Sequence, residues 1–384
     1  MKRLISLLIL VFALGSNVPS LLAQDSTEVI LVADTLKKEN IWRRIYHYFA
    51  DANKKNDKKF DVSFIGGPHY SSDIKLGLGV VAAGLYSTNR ADSLTPVSNV
   101  SLFGDITTTG FYLIGVRGNN MFTRANWRID YNLYFFSFPS AFWGLGYSAG
   151  NNDANASSYS RKHASVKAEF LFKVAPKLYI GPALGFDFTQ GSKLTNPELI
   201  AGFSPINRAY NYGAVVTYDS RDFIPNAYKG FYFKLQQRNY TDFRHKPFFK
   251  TNVAMNYYQQ AWKGAVFAFD LFTEFSYGKV PWTMMAPIGG SYRMRGYYEG
   301  RYRDNNMYTF QVEYRQKIYN RHGIAVWGGF GNVWGKEAYS WKHTLPNYGI
   351  GYRWEFKKRV NVRFDYGFGK GKQNSFLFSI NEAF

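Results

Sequence analysis

The thirteen residues from Gly289 to Arg301 read Gly-Gly-Ser-Tyr-Arg-Met-Arg-Gly-Tyr-Tyr-Glu-Gly-Arg. Glycine permits tight backbone, arginine carries a rigid fork of donors, and tyrosine adds packing surface with a hydroxyl. An arginine in such a loop calls for a carboxylate, because a bidentate Arg–carboxylate pair is strong and a buried unpaired guanidinium is costly. Other chemistries find thinner material. The chain has no Cys, which removes lipid attachment, disulfides and thiolate metal ligands. The six histidines, His47, His69, His163, His245, His322 and His343, scatter over turns, loops and the leading segment, with no pair at metal-ligand spacing. No Gly-x-Ser-x-Gly elbow occurs, and Gly77-Leu78-Gly79 and Gly367-Phe368-Gly369 read as strand glycines, since neither opens a helix. His69 with Ser71 is the one Ser–His approach at a strand end, and spacing leaves glycoside-type carboxylate pairs undecided. The expectation is a non-enzyme with no metal and no cofactor.

The elements that would position these residues are strands. Val166, Ala168, Phe170, Phe172 and Val174 alternate with Lys167, Glu169 and Lys173. Phe231, Phe233 and Leu235 alternate with Lys234, Gln236 and Arg238; Phe310, Val312 and Tyr314 with Gln311, Glu313 and Arg315; Val362, Phe364, Tyr366 and Phe368 with Asn361, Arg363 and Asp365. At the end of the chain Phe376, Phe378, Ile380 and Phe384 share one parity, and Ser375, Ser379, Asn381 and Ala383 the other. Period-two alternation gives each strand one apolar and one polar face. Aromatics make up 19% of the chain, yet the mean hydropathy is −0.30, the value of an ordinary soluble protein. A transmembrane β-barrel reconciles these facts: half of each strand meets lipid, half meets a polar lumen, and aromatic girdles mark both interfaces. A Lys or Arg on the lipid face at the midplane costs roughly 2–4 kcal/mol, so the charged parity must face the lumen. About sixteen strands fit between Lys59 and Phe384. Short connections at 175–177, 262–264, 320–323 and 357–358 alternate with long ones near 136–157, 190–208, 279–306 and 332–344. The fold class is therefore all-β, an antiparallel transmembrane barrel with a short N-terminal helical segment.

Lys2 and Arg3 precede the apolar run Leu4–Leu14, and Ala23-Gln24 offers a cleavage point, so residues 1–23 read as a signal peptide for Sec-type export. Residues 24–58 form a short periplasmic lead, in which Ile41, Ile45, Tyr48 and Phe49 share a helical face. That helix would either cap the barrel mouth or lie on the membrane surface. The formal charge of +20 fits positive lumen and loop surface, or contact with anionic lipid and lipopolysaccharide phosphates. It does not indicate nucleic acid, since the basic residues form no recognition helix. The location expected is the bacterial outer membrane.

Arg295-Gly296-Tyr297 resembles the Arg-Gly-aromatic signature of the BamA/TamA-type outer-membrane proteins, the bacterial surface antigen barrels. In that family the motif sits in the sixth external loop, between the eleventh and twelfth strands, and folds into the lumen; the strand count places it there here too. Tyr218-Asp219-Ser220-Arg221-Asp222, with Pro225 and Gly230, resembles the family's periplasmic turn between strands eight and nine. Val312-Glu313-Tyr314-Arg315, Gly329-Phe330-Gly331-Asn332-Val333-Trp334 and Arg363-Phe364-Asp365-Tyr366-Gly367 resemble its later strands, and the terminal Phe384 its carboxy-terminal insertion signal. The resemblance is strongest over 212–384.

Three departures matter. Gly329 stands where the family commonly has the acidic partner of the loop arginine, which leaves Glu313 and Asp365, both of lumen parity, as candidates. Glu382 stands where an aromatic is common. Residues 24–58 are too short for a POTRA domain, which puts a free-standing insertase role in doubt. The resemblance implies an accessory or partner-dependent factor in outer-membrane protein assembly or export, with periplasmic or outer-membrane protein partners. A passive pore and an outer-leaflet enzyme remain as alternatives, and an open or plugged lumen separates the first two.

Overall fold

The computed structural model describes residues 60–88, 95–243 and 247–384; the expected signal peptide and the lead with its helix lie outside the described residues. The alternating segments become β1 (Phe60–Ser71), β2 (Lys75–Tyr86), β3 (Ser98–Thr107), β4 (Tyr112–Phe122), β5 (Trp127–Phe142), β6 (Ser157–Ala175), β7 (Leu178–Ser192), β8 (Ile206–Asp219) and β9 (Gly230–Thr241). They continue as β10 (Phe248–Trp262), β11 (Ala265–Tyr277), β12 (Ala286–Ile288), β13 (Tyr302–Asp304), β14 (Asn306–Tyr319), β15 (His322–Trp334), β16 (Leu345–Lys357), β17 (Val360–Phe368) and β18 (Asn374–Ile380). All but β12 and β13 close into one antiparallel barrel of sixteen strands. The short β12 and β13 pair with each other inside the connection from β11 to β14. Pairing each strand with its neighbours satisfies their edges, which in lipid have no water to bond, everywhere but at the closing seam.

Parity follows the sequence pattern. Phe172, Val166, Ile180, Leu184 and Ile350 are exposed on the outer wall, while Ser165, Glu169, Asp187, Arg238, Glu313, Arg315, Arg363 and Asp365 are buried on the inner one. An apolar belt outside and a charged interior define a lipid-facing wall. No helix among the described residues is long and apolar enough to cross a membrane.

Neighbouring strands pair along most of their length, except at the closing seam. There β1 meets β18 only at Tyr70–Phe378 and Ser71–Leu377, with one added bond from the Phe376 N–H to Ser72 Oγ at 3.1 Å. On its other side β1 pairs with β2 from Phe60 to Ser71.

Two expectations change. Phe384 does not extend the lipid face of the last strand. β18 stops at Ile380, Asn381 takes φ 69°, and Phe384 turns inside against Ala227, Tyr258 and Ala268. The reversal follows from φ: a left-handed residue breaks the period-two alternation on which the parity rested. His69 and His163 lie within β1 and β6 rather than in turns, each against a lumen carboxylate: Asp105 at 2.7 Å and Asp187 at 3.1 Å.

Candidate functional site

The connection from β11 to β14, residues 278–305, folds into the barrel instead of standing above it. Arg295, Tyr297 and Met294 at its tip are completely buried or nearly so. Arg295 donates from Nη2 to Glu313 Oε2 at 2.5 Å and from Nη1 to Asp365 Oδ2 at 2.6 Å. Its guanidinium also lies 3.7 Å from the centre of the Trp327 ring. The missing acid at Gly329 is thus replaced by two, one on the strand after the loop and one on β17. A single guanidinium fork serves both, as its planar donors allow.

Gly296 makes this approach possible. It sits at φ 117°, and a Cβ there would come within 2.7 Å of the Phe368 main chain. Gly367 on the wall has the same reason, since a Cβ would meet the Arg295 carbonyl. The loop backbone therefore rests directly on β17, and Asn347 donates its side-chain amide to the Arg295 carbonyl. Tyr297 donates to the Pro346 carbonyl and accepts from the Lys370 N–H at 2.8 Å. Around the tip, Arg293 pairs with Asp270 at 2.8 and 2.9 Å, Arg363 donates to the Ser291 carbonyl at 2.7 Å, and Gln311 accepts the Met294 N–H at 3.1 Å. The loop is pinned to β11, β14, β16 and β17 at once.

Arg295 belongs to a larger network. Arg315 donates to Glu313 at 2.7 Å; Arg353 to Asp365 at 2.5 Å and Glu382 at 2.8 Å; Arg363 to Asp365 at 3.0 Å. Arg315, Arg353, Arg363 and Glu382 were not singled out from sequence as partners of the loop. Their signal was present: each falls on the lumen parity of a late strand, or just past it, and Glu382 is the family departure. A second charged group lies across the barrel, where Glu169 takes Lys234 at 2.8 Å and Arg238 at 3.1 Å.

At the short-turn end, Asp219 and Arg221 form a bidentate pair at 3.0 and 2.7 Å within the β8–β9 connection. Asp222 accepts the Tyr228 N–H at 3.0 Å and Arg359 of the β16–β17 turn at 2.9 Å. Burial alone would raise the Asp222 carboxyl, but the Tyr228 and Lys229 N–H groups and Arg359 outweigh it and hold it below its usual range. The three motif residues thus brace a connection that reaches from β8–β9 to the β16–β17 turn.

At the other end, the same long loop is tied to its neighbours. The Glu299 N–H donates to Asp73 at 3.0 Å in the β1–β2 turn, Arg161 pairs with Glu299 at 3.3 Å, and the Ala141 N–H donates to the Tyr298 hydroxyl at 3.1 Å. Burial, helped by the Glu299 charge and opposed by the Glu299 N–H and Lys75, pushes the Asp73 carboxyl up to about 7. Ser71 Oγ accepts the Ile74 N–H at 3.2 Å. Among the described residues no three His, Asp or Glu side chains gather as a metal site.

A closed sixteen-stranded barrel with a lipid-facing wall, its lumen crossed by an arginine-anchored loop between the eleventh and twelfth barrel strands, defines an integral barrel of the outer-membrane type. Residues 118–384 match the Omp85 superfamily domain, and the chain belongs to that superfamily. Its fold is similar to BamA from Haemophilus ducreyi lacking POTRA domains 1–3, with a TM-score of 0.59 and 13% identity over 85% of this chain and 71% of that one. It is similar to CdiB from Acinetobacter baumannii (TM-score 0.56, 11% identity, 85% of this chain, 60% of that one) and to CdiB from Escherichia coli (0.54, 10%, 89% and 70%). The chain spans less than two thirds of the A. baumannii CdiB. No curated protein sequence matches. Identities this low bear on the fold alone.

Proposed function

We propose that this chain is a partner-dependent factor in assembling or exporting proteins at the outer membrane, reached by Sec-type export. The observation that carries the reading is the seam. Among the described residues, β1 has no strand partner along the edge from Phe60 to His69, while its opposite edge is fully paired. An unpaired edge is a template for strand addition, with main-chain hydrogen bonds giving affinity irrespective of sequence. An incoming strand can pair with β1 and enter the wall laterally, so that no bond within the other strands has to break. The short turns then face the periplasm and its protein partners, and the long loops face outward. There the positive charge of the chain suits lipopolysaccharide phosphates. In this scheme Arg295, Gly296 and Tyr297 keep the lumen closed and brace β14–β17 beside the seam.

A passive pore is favoured less, because the loop occupies the lumen at the depth of Glu313 and Asp365. An outer-leaflet enzyme gains no support from His69, which faces Asp105, or from Ser71, which is engaged with the Ile74 N–H.

The test is a seam lock. Ser71 and Leu377 are directly paired and both point inward, so Ser71→Cys with Leu377→Cys places two thiols at disulfide distance in a chain otherwise free of Cys. Oxidation should lower the folded yield of other outer-membrane barrels in cells that depend on this chain, and reduction should restore it. Undiminished yield with a fully locked seam overturns the reading.

A further inference from the structure

The last strand leaves the edge it faces. β18 pairs with β1 at Tyr70–Phe378 and Ser71–Leu377 and then departs. Antiparallel partners run in opposite directions, so the same register carried on would set Asn381 opposite Gly67, Glu382 opposite Gly66, Ala383 opposite Ile65 and Phe384 opposite Phe64. The chain is therefore long enough to cover the β1 edge from His69 to Phe64 by itself. Instead it turns at Asn381, φ 69°, and enters the barrel.

Parity shows what the extended form would meet. On β18 Phe376 is exposed while Ser375 and Leu377 are buried, so the even-numbered residues stand on the outer wall. Extended, the segment would put Glu382 on that wall. Gly66, its partner there, lies opposite Val80 on β2, and the row runs on through Gly104 of β3 to Ile114 of β4. Val80 is 46% exposed and Ile114 58%, which marks that level as part of the lipid belt. An ionised carboxylate is unfavourable there, whereas Phe384, on the same parity, would be at home.

Inside the barrel the preference of Glu382 is met. It is 6% exposed and accepts Arg353 Nε at 2.8 Å and the Asn361 amide at 2.6 Å, with Arg315 Nε at 3.5 Å. The Asn361 carbonyl accepts the Asn381 N–H at 2.8 Å, at the turn itself. Phe384 packs on Ala227, Tyr258 and Ala268, and its main-chain oxygen accepts Arg315 Nη2 at 2.9 Å. Phe384 thus suits either face of the wall, while Glu382 suits only the lumen.

We propose that Glu382 is the positioning residue that keeps the β1 edge free. Its charge bars the chain's own carboxy-terminus from adding to β1, and its bonds to Arg353 and Asn361 hold that segment inside. A charge placed against edge pairing is a known protection of exposed strands, here directed at the chain itself. A tethered segment would otherwise compete at high effective concentration with any incoming strand. The inference rests on the reading of β1 as a template for strand addition, since a free edge matters only in that reading.

The test uses the full chain, otherwise free of Cys, carrying Ile65→Cys and Ala383→Cys in phospholipid nanodiscs. The extended register sets these positions opposite each other, at disulfide distance. With Glu382 in place, oxidation should cross-link little of the folded, heat-modifiable protein. Glu382→Phe should raise the initial rate of cross-linking about tenfold, and Glu382→Gln by less, since it removes the charge but stays polar. Phe384→Ala frees the terminus from its inner packing and keeps the carboxylate, so the rate in its folded fraction should stay low. Equal rates with and without Glu382 overturn the proposal. So does a rise in Phe384→Ala as large as in Glu382→Phe, which would make packing the restraint. In cells that depend on this chain, Glu382→Phe should also lower the folded yield of other outer-membrane barrels. Faster cross-linking with that yield unchanged removes the strand-addition reading and upholds the role of Glu382.

Discussion

Arg295→Ala asks whether charge inside the lumen holds the long loop down. The substitution deletes two charge-assisted hydrogen bonds, to Glu313 at 2.5 Å and to Asp365 at 2.6 Å, and the contact with Trp327. Bonds of this kind contribute about 1.5–3 kcal/mol each, and the ring contact about 0.5–2. The loss is smaller than their sum, because both acids keep other partners. Glu313 retains Arg315 at 2.7 Å, and Asp365 retains Arg353 at 2.5 Å and Arg363 at 3.0 Å. With both acids still paired, the net cost should be about 2–3 kcal/mol. Asp365→Ala works the other way. It takes an acceptor from three guanidinium groups, Arg295, Arg353 and Arg363, so it should cost about 4–5 kcal/mol. A loss of about 3 kcal/mol multiplies the population with the loop lifted by about a hundred. Limited proteolysis of residues 289–301 in liposomes, applied from the long-loop side, reads that population. The urea midpoint of the heat-modifiable band reads the stability. Wild-type protease resistance and midpoint in Arg295→Ala would refute the reasoning, as would an arginine deletion that costs more than the Asp365 deletion.

Asp73 makes stability depend on pH. Its folded pKa, about 7, lies above its ordinary 3.8, so between those values the folded protein holds more protons than the unfolded one. The contribution is complete below about pH 4 and is lost as pH rises toward 7. The unfolding midpoint should fall over that window, and Asp73→Asn should flatten the fall; identical profiles for the two proteins would remove Asp73 as the cause. Phe384 packs inside on Ala227, Tyr258 and Ala268, with its ring 5.5 Å from the Arg315 guanidinium. Phe384→Ala should cost about 3 kcal/mol, toward the lower end for a large-to-small change in a packed site, and should lower the yield of heat-modifiable barrel. A wild-type midpoint would show that the residue acts without packing.

The sequence alone determined the wall. A strand has two faces and lipid rejects charge, so Phe170, Phe172, Phe231 and Phe233 could only stand opposite Lys167, Glu169, Lys234 and Gln236. The same argument put Glu313 and Asp365 inside, and the order of short and long connections gave an even barrel with the Arg-Gly-Tyr loop between its eleventh and twelfth strands. What parity cannot supply is distance across the lumen. Asp365 lies seventy residues from Arg295 and two barrel strands beyond β15, and only closure of the sheet brings one guanidinium within reach of it and Glu313 together. Arg315, Arg353 and Arg363 were legible as lumen residues but not as partners, since a pairing depends on register between strands that are far apart in the chain, and Glu382 lay on the apolar parity until Asn381 turned it inward. Phe384 followed parity on paper and broke it in space, because one left-handed residue, Asn381, reverses a face that alternation only continues. The two-pair seam was beyond sequence altogether: it is set by where the first and last strands meet once the other strand pairings have fixed the circumference.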